Sequence, residues 1–233
     1  MTVPLRPLVL SANFGSPAAV ESIYEPRAAP PRRARPTDEA QSNFDDLRCP
    51  FCGMHSRRSR RFAAPARSGH DNAAACVICY LCHHLERPRI DEEAALVWLP
   101  EMSQPALNVT MREIHMQLRT LGEDLHETGR LRLDTPERLR LYYARSALGE
   151  RVAAAASRLG TDKPSEFAGA LCRLSPGAYA NRAKLLDGVR LVPLGCFYAG
   201  NKDVYPQIVD SWREIAKPAA ASAVVGPPPP SGA

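Results

Sequence analysis

At 233 residues and 45% hydrophobic content, the chain is long enough to bury a core as one domain, or as one domain with a small metal module. Its formal net charge of +5 is local rather than fold-wide, because the arginines are patchy and 22 prolines punctuate the chain, which argues against a generally basic nucleic-acid-binding surface. No run approaches the roughly 18 apolar residues of a membrane span, and the opening MTVPLRPLVLSANFG lacks the basic start and small-residue cleavage site of an exported protein, so a cytosolic protein with reduced thiols is expected.

In chain order, Leu5 to Ala12 (LRPLVLSA) predicts a short strand, weakened by Pro7, which has no N–H to donate. Residues 1–12 are therefore set apart from 13–44, a proline- and arginine-rich linker with no apolar period. The stretch 45–92 holds Cys49-Pro50-Phe51-Cys52-Gly53 and Cys76-Val77-Ile78-Cys79-Tyr80-Leu81-Cys82. Two residues between paired thiolates let both sulfurs reach one tetrahedral Zn²⁺ at about 2.3 Å, and two such pairs complete the coordination. At Gly53 the chain can turn with positive φ, aiming backbone N–H groups at the sulfurs. Cys49, Cys52, Cys76 and Cys79 are the candidate ligands, with Cys82 left in the core or beside the ligands. Cys79 with Cys82 is an equally well-spaced alternative pair, and iron is the alternative ion. Seven cysteines, an odd number, argue against a disulfide framework. Cys172 and Cys196 each stand alone in an apolar segment, which reads as core packing.

The remainder, 93–216, predicts a helix-rich α+β domain packed with the cysteine module. A strand over Ala94 to Leu99 stops at Pro100; Ser103 then caps a helix with Leu107, Met111, Ile114, Leu118, Leu121 and Leu125 on one face. Thr135-Pro136-Glu137 opens a second helix through N-cap, N1 proline and acidic first turn, with Leu139, Tyr142, Tyr143, Ala147 and Val152 as its apolar positions. Asp162 before Lys163-Pro164, and Ser175 before Pro176, repeat the device for two shorter helices. A strand over Gly188 to Leu194 and a last helix over Asp203 to Ala216, presenting Tyr205, Ile208, Trp212 and Ile215, complete the domain. Residues 217–233 form a low-complexity polyproline tail. Trp98 and Tyr198 read as core rather than interface anchors.

A C-x-x-C, loop, C-x-x-C frame also carries the HNH nuclease site, where zinc staples the fold and a histidine roughly twenty residues before the second pair activates water on a catalytic metal. Here that stretch, Phe62 to Ala66, reads FAAPA and offers no general base; His70 and Asp71 lie too close to Cys76, although Asn72 stands where such a loop places an asparagine. His55, His83 and His84 read as satisfied histidines because four thiolates already suffice for the metal. Arg57, Arg58, Arg60 and Arg61 read as counter-charge to a negatively charged zinc–thiolate centre; the competing reading is a degenerate HNH-derived DNA-binding zinc module, with salt-dependent phosphate contacts. No catalytic residue is assigned, and an enzyme is not expected.

Two segments outside the cysteines carry a resemblance. Leu96-Val97-Trp98-Leu99-Pro100-Glu101-Met102-Ser103-Gln104-Pro105-Ala106-Leu107-Asn108, and Val189-Arg190-Leu191-Val192-Pro193 followed after a gap by Ile208-Val209-Asp210-Ser211-Trp212, are similar to passages of the IcmJ/DotN component of Dot/Icm-type (type IVB) bacterial secretion systems. That family also shows the C-x-x-C-G pair, the later C-x-x-C-x-x-C cluster and an early segment ending like Ser11-Ala12. The resemblance covers about residues 47 to 215 and is thin through the middle helices; the Pro/Arg-rich residues 25 to 36 and the polyproline tail depart from it. It implies a non-catalytic, metal-stabilised subunit of the coupling complex, bound to the cytosolic tail of an inner-membrane coupling ATPase and to adaptor proteins. Location would then be cytoplasmic, attached peripherally to the inner membrane through the complex, with nucleic acid not a partner.

Overall fold

The computed structural model describes residues 5–12, 46–57, 62–64, 73–126 and 131–216; the expected linker, the tail and His70, Asp71 and Asn72 lie outside them. In chain order the elements are β1 (Asp46–Arg48), β2 (His55–Arg57), β3 (Phe62–Ala64), β4 (Ala73–Ala75), α1 (Val77–His83), α2 (Ile90–Glu93), β5 (Ala94–Trp98), α3 (Gln104–Thr120) and α4 (Pro136–Leu159). They continue with α5 (Pro164–Cys172), α6 (Pro176–Ala180), α7 (Arg182–Leu185), β6 (Val189–Pro193), β7 (Tyr198–Ala199), β8 (Lys202–Asp203) and α8 (Tyr205–Ala216). Mixed helices and small sheets make an α+β fold, in which each sheet is a two-stranded antiparallel pair: β1 with β2, β3 with β4, β5 with β6 and β7 with β8.

Local chemistry sets three of the helix starts. Ser103 Oγ accepts from the Ala106 N–H at α3, Thr135 Oγ1 from the Arg138 N–H at α4, and Ser175 Oγ from the Ala178 N–H at α6, each followed by proline in the first turn. Asp162 does not cap α5. That helix begins at Lys163 without a side-chain cap of its own, and its Ser165 N–H is met instead by Asp91 of α2 at 2.9 Å. A partner distant in sequence has replaced the local cap.

The β5–β6 pair brings together strands nearly a hundred residues apart, with Leu96 opposite Leu191 and Trp98 opposite Val189. Both strands are almost continuously buried, as expected of a pair covered on both faces. Helix α4 lies against β5, while α3 packs on β6 and α8. At the turn into β6, Gly188 has φ +90°, and a Cβ there would stand 2.7 Å from the Trp98 ring, so only glycine fits. One apolar cluster runs from Leu10, Phe51 and Leu81 through Leu96, Leu107 and Leu191 to Ile208 and Trp212. The cysteine module and the helical part therefore share a core.

Three expectations are corrected. Residues 5–12 join no strand ladder; they strap across the cysteine module, with Arg6 N–H donating to Pro50 O (2.7 Å), Ser11 N–H to Cys82 O (3.0 Å) and Leu85 N–H to Ser11 O (3.3 Å). Their partners are a turn and a helix end, which offer single hydrogen bonds rather than a ladder. On α4, Tyr143 is 62% and Leu139 37% exposed, and the helix instead turns Leu141, Arg145, Leu148, Val152 and Ala155 inward. That face keeps the alternating four and three spacing, but Arg145 in the middle of it disguises the stripe. Cys172 is exposed, whereas Cys196 is buried and donates its S–H to Glu92 O at 2.9 Å.

A buried ion pair between Arg87, just before α2, and Glu93 of α2 meets the start of β7. Glu93 is fully buried and takes two hydrogen bonds of 2.8 Å from Arg87, while the Tyr198 N–H adds a third at 2.8 Å. Arg87 also donates to Tyr198 O at 3.0 Å and stacks 4.3 Å over the Phe197 ring. Every charged atom of the carboxylate is met, the condition for a buried pair to be tolerated. Truncating Arg87→Ala strands the carboxylate in the core and is expected to destabilise the protein by about 3–5 kcal/mol, whereas the double change Arg87→Met with Glu93→Leu loses less than either single truncation. Denaturant titration of the three variants checks this, and a double variant worse than Arg87→Ala would contradict it.

Candidate metal centre

The β1–β2 hairpin presents the first cysteine pair. Its loop from Cys49 to Met54 is closed by hydrogen bonds from Cys49 N–H to Met54 O (2.9 Å) and from Gly53 N–H to Cys49 O (2.9 Å). Gly53 has φ +74°, the conformation expected from the sequence, although its N–H serves the loop rather than a sulfur. Arg48 Nε secures the same turn by donating to Gly53 O at 3.1 Å. The second pair comes from the start of α1: Cys76 is its N-cap and Cys79 lies in its first turn.

These four sulfurs converge. Cys49, Cys52, Cys76 and Cys79 place their Sγ atoms within 4.8 Å of one another, with Cys52 and Cys76 at 3.7 Å. A tetrahedral ion with bonds of about 2.3 Å requires sulfur separations of about 3.8 Å, so a slight contraction of the observed cage accommodates it. All four residues are buried, Cys52 being the most accessible at 8%. The Cys76 N–H points at Cys49 Sγ at 3.4 Å, a direct backbone contact to a ligand. Four cysteine sulfurs this close together and closed from solvent are a donor set compatible with Zn²⁺.

The four sulfurs are electrostatically coupled. Hydrogen bonding from Cys52, then Cys76 and Cys79, lowers the Cys49 thiol, whereas burial, followed by Cys49, Cys52 and Cys76, raises Cys79. The first thiolate is stabilised by the remaining S–H groups and the last is opposed by burial. A divalent ion removes that conflict by accepting all four sulfurs as thiolates.

Cys82 is outside the cage. Burial pushes its thiol up to about 12, keeping the proton, which it directs to Ile78 O at 3.4 Å. Of the two equally spaced pairs, Cys76 with Cys79 is the one whose sulfurs lie within 4.8 Å of those of Cys49 and Cys52. His55 is exposed on β2, His83 is buried with Nδ1 3.3 Å from Ser11 Oγ, and His84 Nδ1 meets Glu86 at 2.9 Å. None joins the four-sulfur group.

Helix α3 contributes what sequence reasoning missed. Gln104, Asn108, Arg112 and His115 form a polar row on one face and are all buried, at 5%, 2%, 4% and 0% exposure. Asn108 Nδ2 donates to Cys79 Sγ at 3.3 Å and reaches Cys82 Sγ at 3.8 Å. Arg112 donates to His55 O in the hairpin strand at 2.6 Å and stacks 4.7 Å over the Trp212 ring. Burial lowers its proton affinity, but Cys76, Cys52 and Cys49 pull the other way, so the thiolate cluster favours its charge. Arg112 is therefore the buried counter-charge beside the cluster, the role expected of Arg57, Arg58, Arg60 and Arg61, whose side chains lie outside the described residues. His115 Nδ1 lies 2.7 Å from the Tyr205 hydroxyl, tying α3 to α8. The available signal was four polar residues spaced four, four and three along an otherwise apolar helix face.

The chain matches no protein-family model, and no curated protein matches it. Among the described residues, no helix is long and apolar enough to cross a membrane.

Removing one ligand leaves three buried thiols without a complete site. Because zinc binding free energy is folding free energy, of order 10–16 kcal/mol in small zinc modules, Cys49→Ser and Cys79→Ser are expected to lose stoichiometric zinc and the cooperative melt of the module. Cys82→Ser should retain one zinc per chain and lose only about 1–3 kcal/mol from a hydroxyl in a thiol's place. Elemental analysis with thermal melting separates the two classes; zinc loss in Cys82→Ser, or unchanged melting in Cys49→Ser, would contradict the ligand set.

Proposed function

We propose that this chain is a non-catalytic interaction subunit, held in shape by a zinc ion on Cys49, Cys52, Cys76 and Cys79, that docks on the cytosolic tail of a coupling ATPase within a type IVB secretion coupling complex of the Dot/Icm kind. The observation that carries the reading is the closed character of the centre: four buried cysteine sulfurs lie within 4.8 Å of one another, the number of thiolates that fills a structural zinc site. Such an ion supplies folding energy and fixes a surface rather than reacting.

The passages behind the resemblance to IcmJ/DotN also meet around this centre. Gln104 and Asn108, from the Leu-Pro-Glu…Gln…Leu-Asn passage, stand between β6 and the Cys79 sulfur. Leu191, from the second passage, supplies the backbone groups that hold Gln104. Trp212, from the later part of the second passage, lies under Arg112. Residues far apart in the sequence thus serve one structural unit. The ion's role is confined to holding the hairpin and α1 in register with α3.

Purification of the tagged chain from solubilised membranes of its native host, with DNase present, tests the reading. Co-purification of a coupling ATPase and small adaptor proteins in stoichiometric amounts is the expected result. Recovery of nucleic acid, with binding that falls steeply as salt rises, would overturn it in favour of a DNA-binding zinc module.

A further inference from the structure

The amide of Asn108 can be oriented in only one way. The Leu191 N–H donates to Gln104 Oε1 at 2.8 Å, which fixes the oxygen side of that amide. Gln104 Nε2 must then donate, and it does so twice, to Leu191 O and to Asn108 Oδ1, both at 2.8 Å. Since Asn108 Oδ1 accepts, its Nδ2 faces the cysteines, nearer to Cys79 Sγ at 3.3 Å than to Cys82 Sγ at 3.8 Å. A backbone amide on β6 thereby dictates, through two side chains, which atom meets a metal-ligand sulfur. All members of this relay are buried, so water does not compete with it.

We infer that Asn108 is a positioning residue of the metal centre, tightening the hold of Cys79 on the ion and selecting it over Cys82, and that Gln104 acts on the metal only through Asn108. This inference rests on the reading of the four cysteines as a metal site. An N–H directed at a thiolate withdraws charge from a sulfur that shares a net negative centre, and it fixes the direction of the sulfur lone pairs. With Cys79 and Cys82 equally spaced candidates on one helix, the shorter contact biases the choice that the hairpin geometry also favours.

The experiment uses the full chain loaded with Zn²⁺ for affinity, by competition with a chelator, and with Co²⁺ for the sulfur-to-metal charge-transfer band. Asn108→Asp keeps the side chain's shape and removes the N–H; Asn108→Leu removes both polar groups; Gln104→Leu leaves the sulfurs untouched. Both Asn108 variants are expected to keep one ion per chain, to bind it about 10–100-fold more weakly, and to move the charge-transfer band to longer wavelength, which a loss of packing alone would not do. Gln104→Leu should weaken binding less, and its effect should vanish in the Asn108→Leu background. If Asn108→Leu does not fold, Asn108→Asp and Gln104→Leu, alone and combined, decide the same point. Wild-type affinity and an unmoved band in Asn108→Asp would overturn the inference, as would independent, multiplying losses at Gln104 and Asn108. Absence of metal binding in the wild-type chain would instead overturn the metal reading itself.

Discussion

Four cysteine sulfurs gathered within 4.8 Å of one another and shut away from water join the β1–β2 hairpin to the start of α1, and the rest of the structure is built around that junction. Burial opposes ionisation of Cys79, and the neighbouring sulfurs add to that opposition. A divalent cation would accept all four sulfurs as thiolates. The hairpin β1–β2 is short and the helix α1 has only seven residues, so neither carries much stability of its own. An ion on the four sulfurs would tie the two together.

That junction is built into the rest of the fold. Residues 5–12 cross it through backbone hydrogen bonds to Pro50 and Cys82, and α3 meets it with a polar row rather than an apolar one. Arg112 supplies a buried positive charge and Asn108 an N–H to sulfur, and both are continued outward, to Trp212 on α8 and through Gln104 to β6. The buried Arg87–Glu93 pair anchors the other end of the module to the start of β7. Asn108, Gln104, Arg87 and Glu93 have defined partners, whereas Arg112 Nε, His115 Nε2 and Trp212 Nε1 are buried without one among the described residues. The partnered groups also give the interface a single register, which apolar packing alone specifies less sharply.

The elements set by local chemistry were legible in the sequence. Ligand spacing within a knuckle, the positive φ of Gly53, the Ser and Thr caps of α3, α4 and α6, and the extents of β5 and β6 all follow from residues within a few positions of one another. What escaped depends on distant partners. Asp91 replaces a local cap for α5, and Arg145 interrupts the buried face of α4, so counting apolar residues selected Leu139 and Tyr143, which the fold exposes. Cys172 stands in an apolar segment yet faces outward. Arg112 and Asn108 were hidden for a related reason: a polar residue inside a helical apolar stripe is discounted unless a charged centre is known to lie opposite. The arginine run after the hairpin was conspicuous only because its members are adjacent.

A closed thiolate centre integrated with α3, β6 and α8 fits a protein whose task is to present a stable surface, and it places the burden of proof on the ion. The most direct test is X-ray absorption at the zinc edge on the purified full-length chain, combined with a count of zinc per chain by native mass spectrometry. One zinc with four sulfur neighbours at about 2.3 Å is the result this account predicts. A chain that folds cooperatively without metal, or a zinc with nitrogen or oxygen among its neighbours, would contradict it.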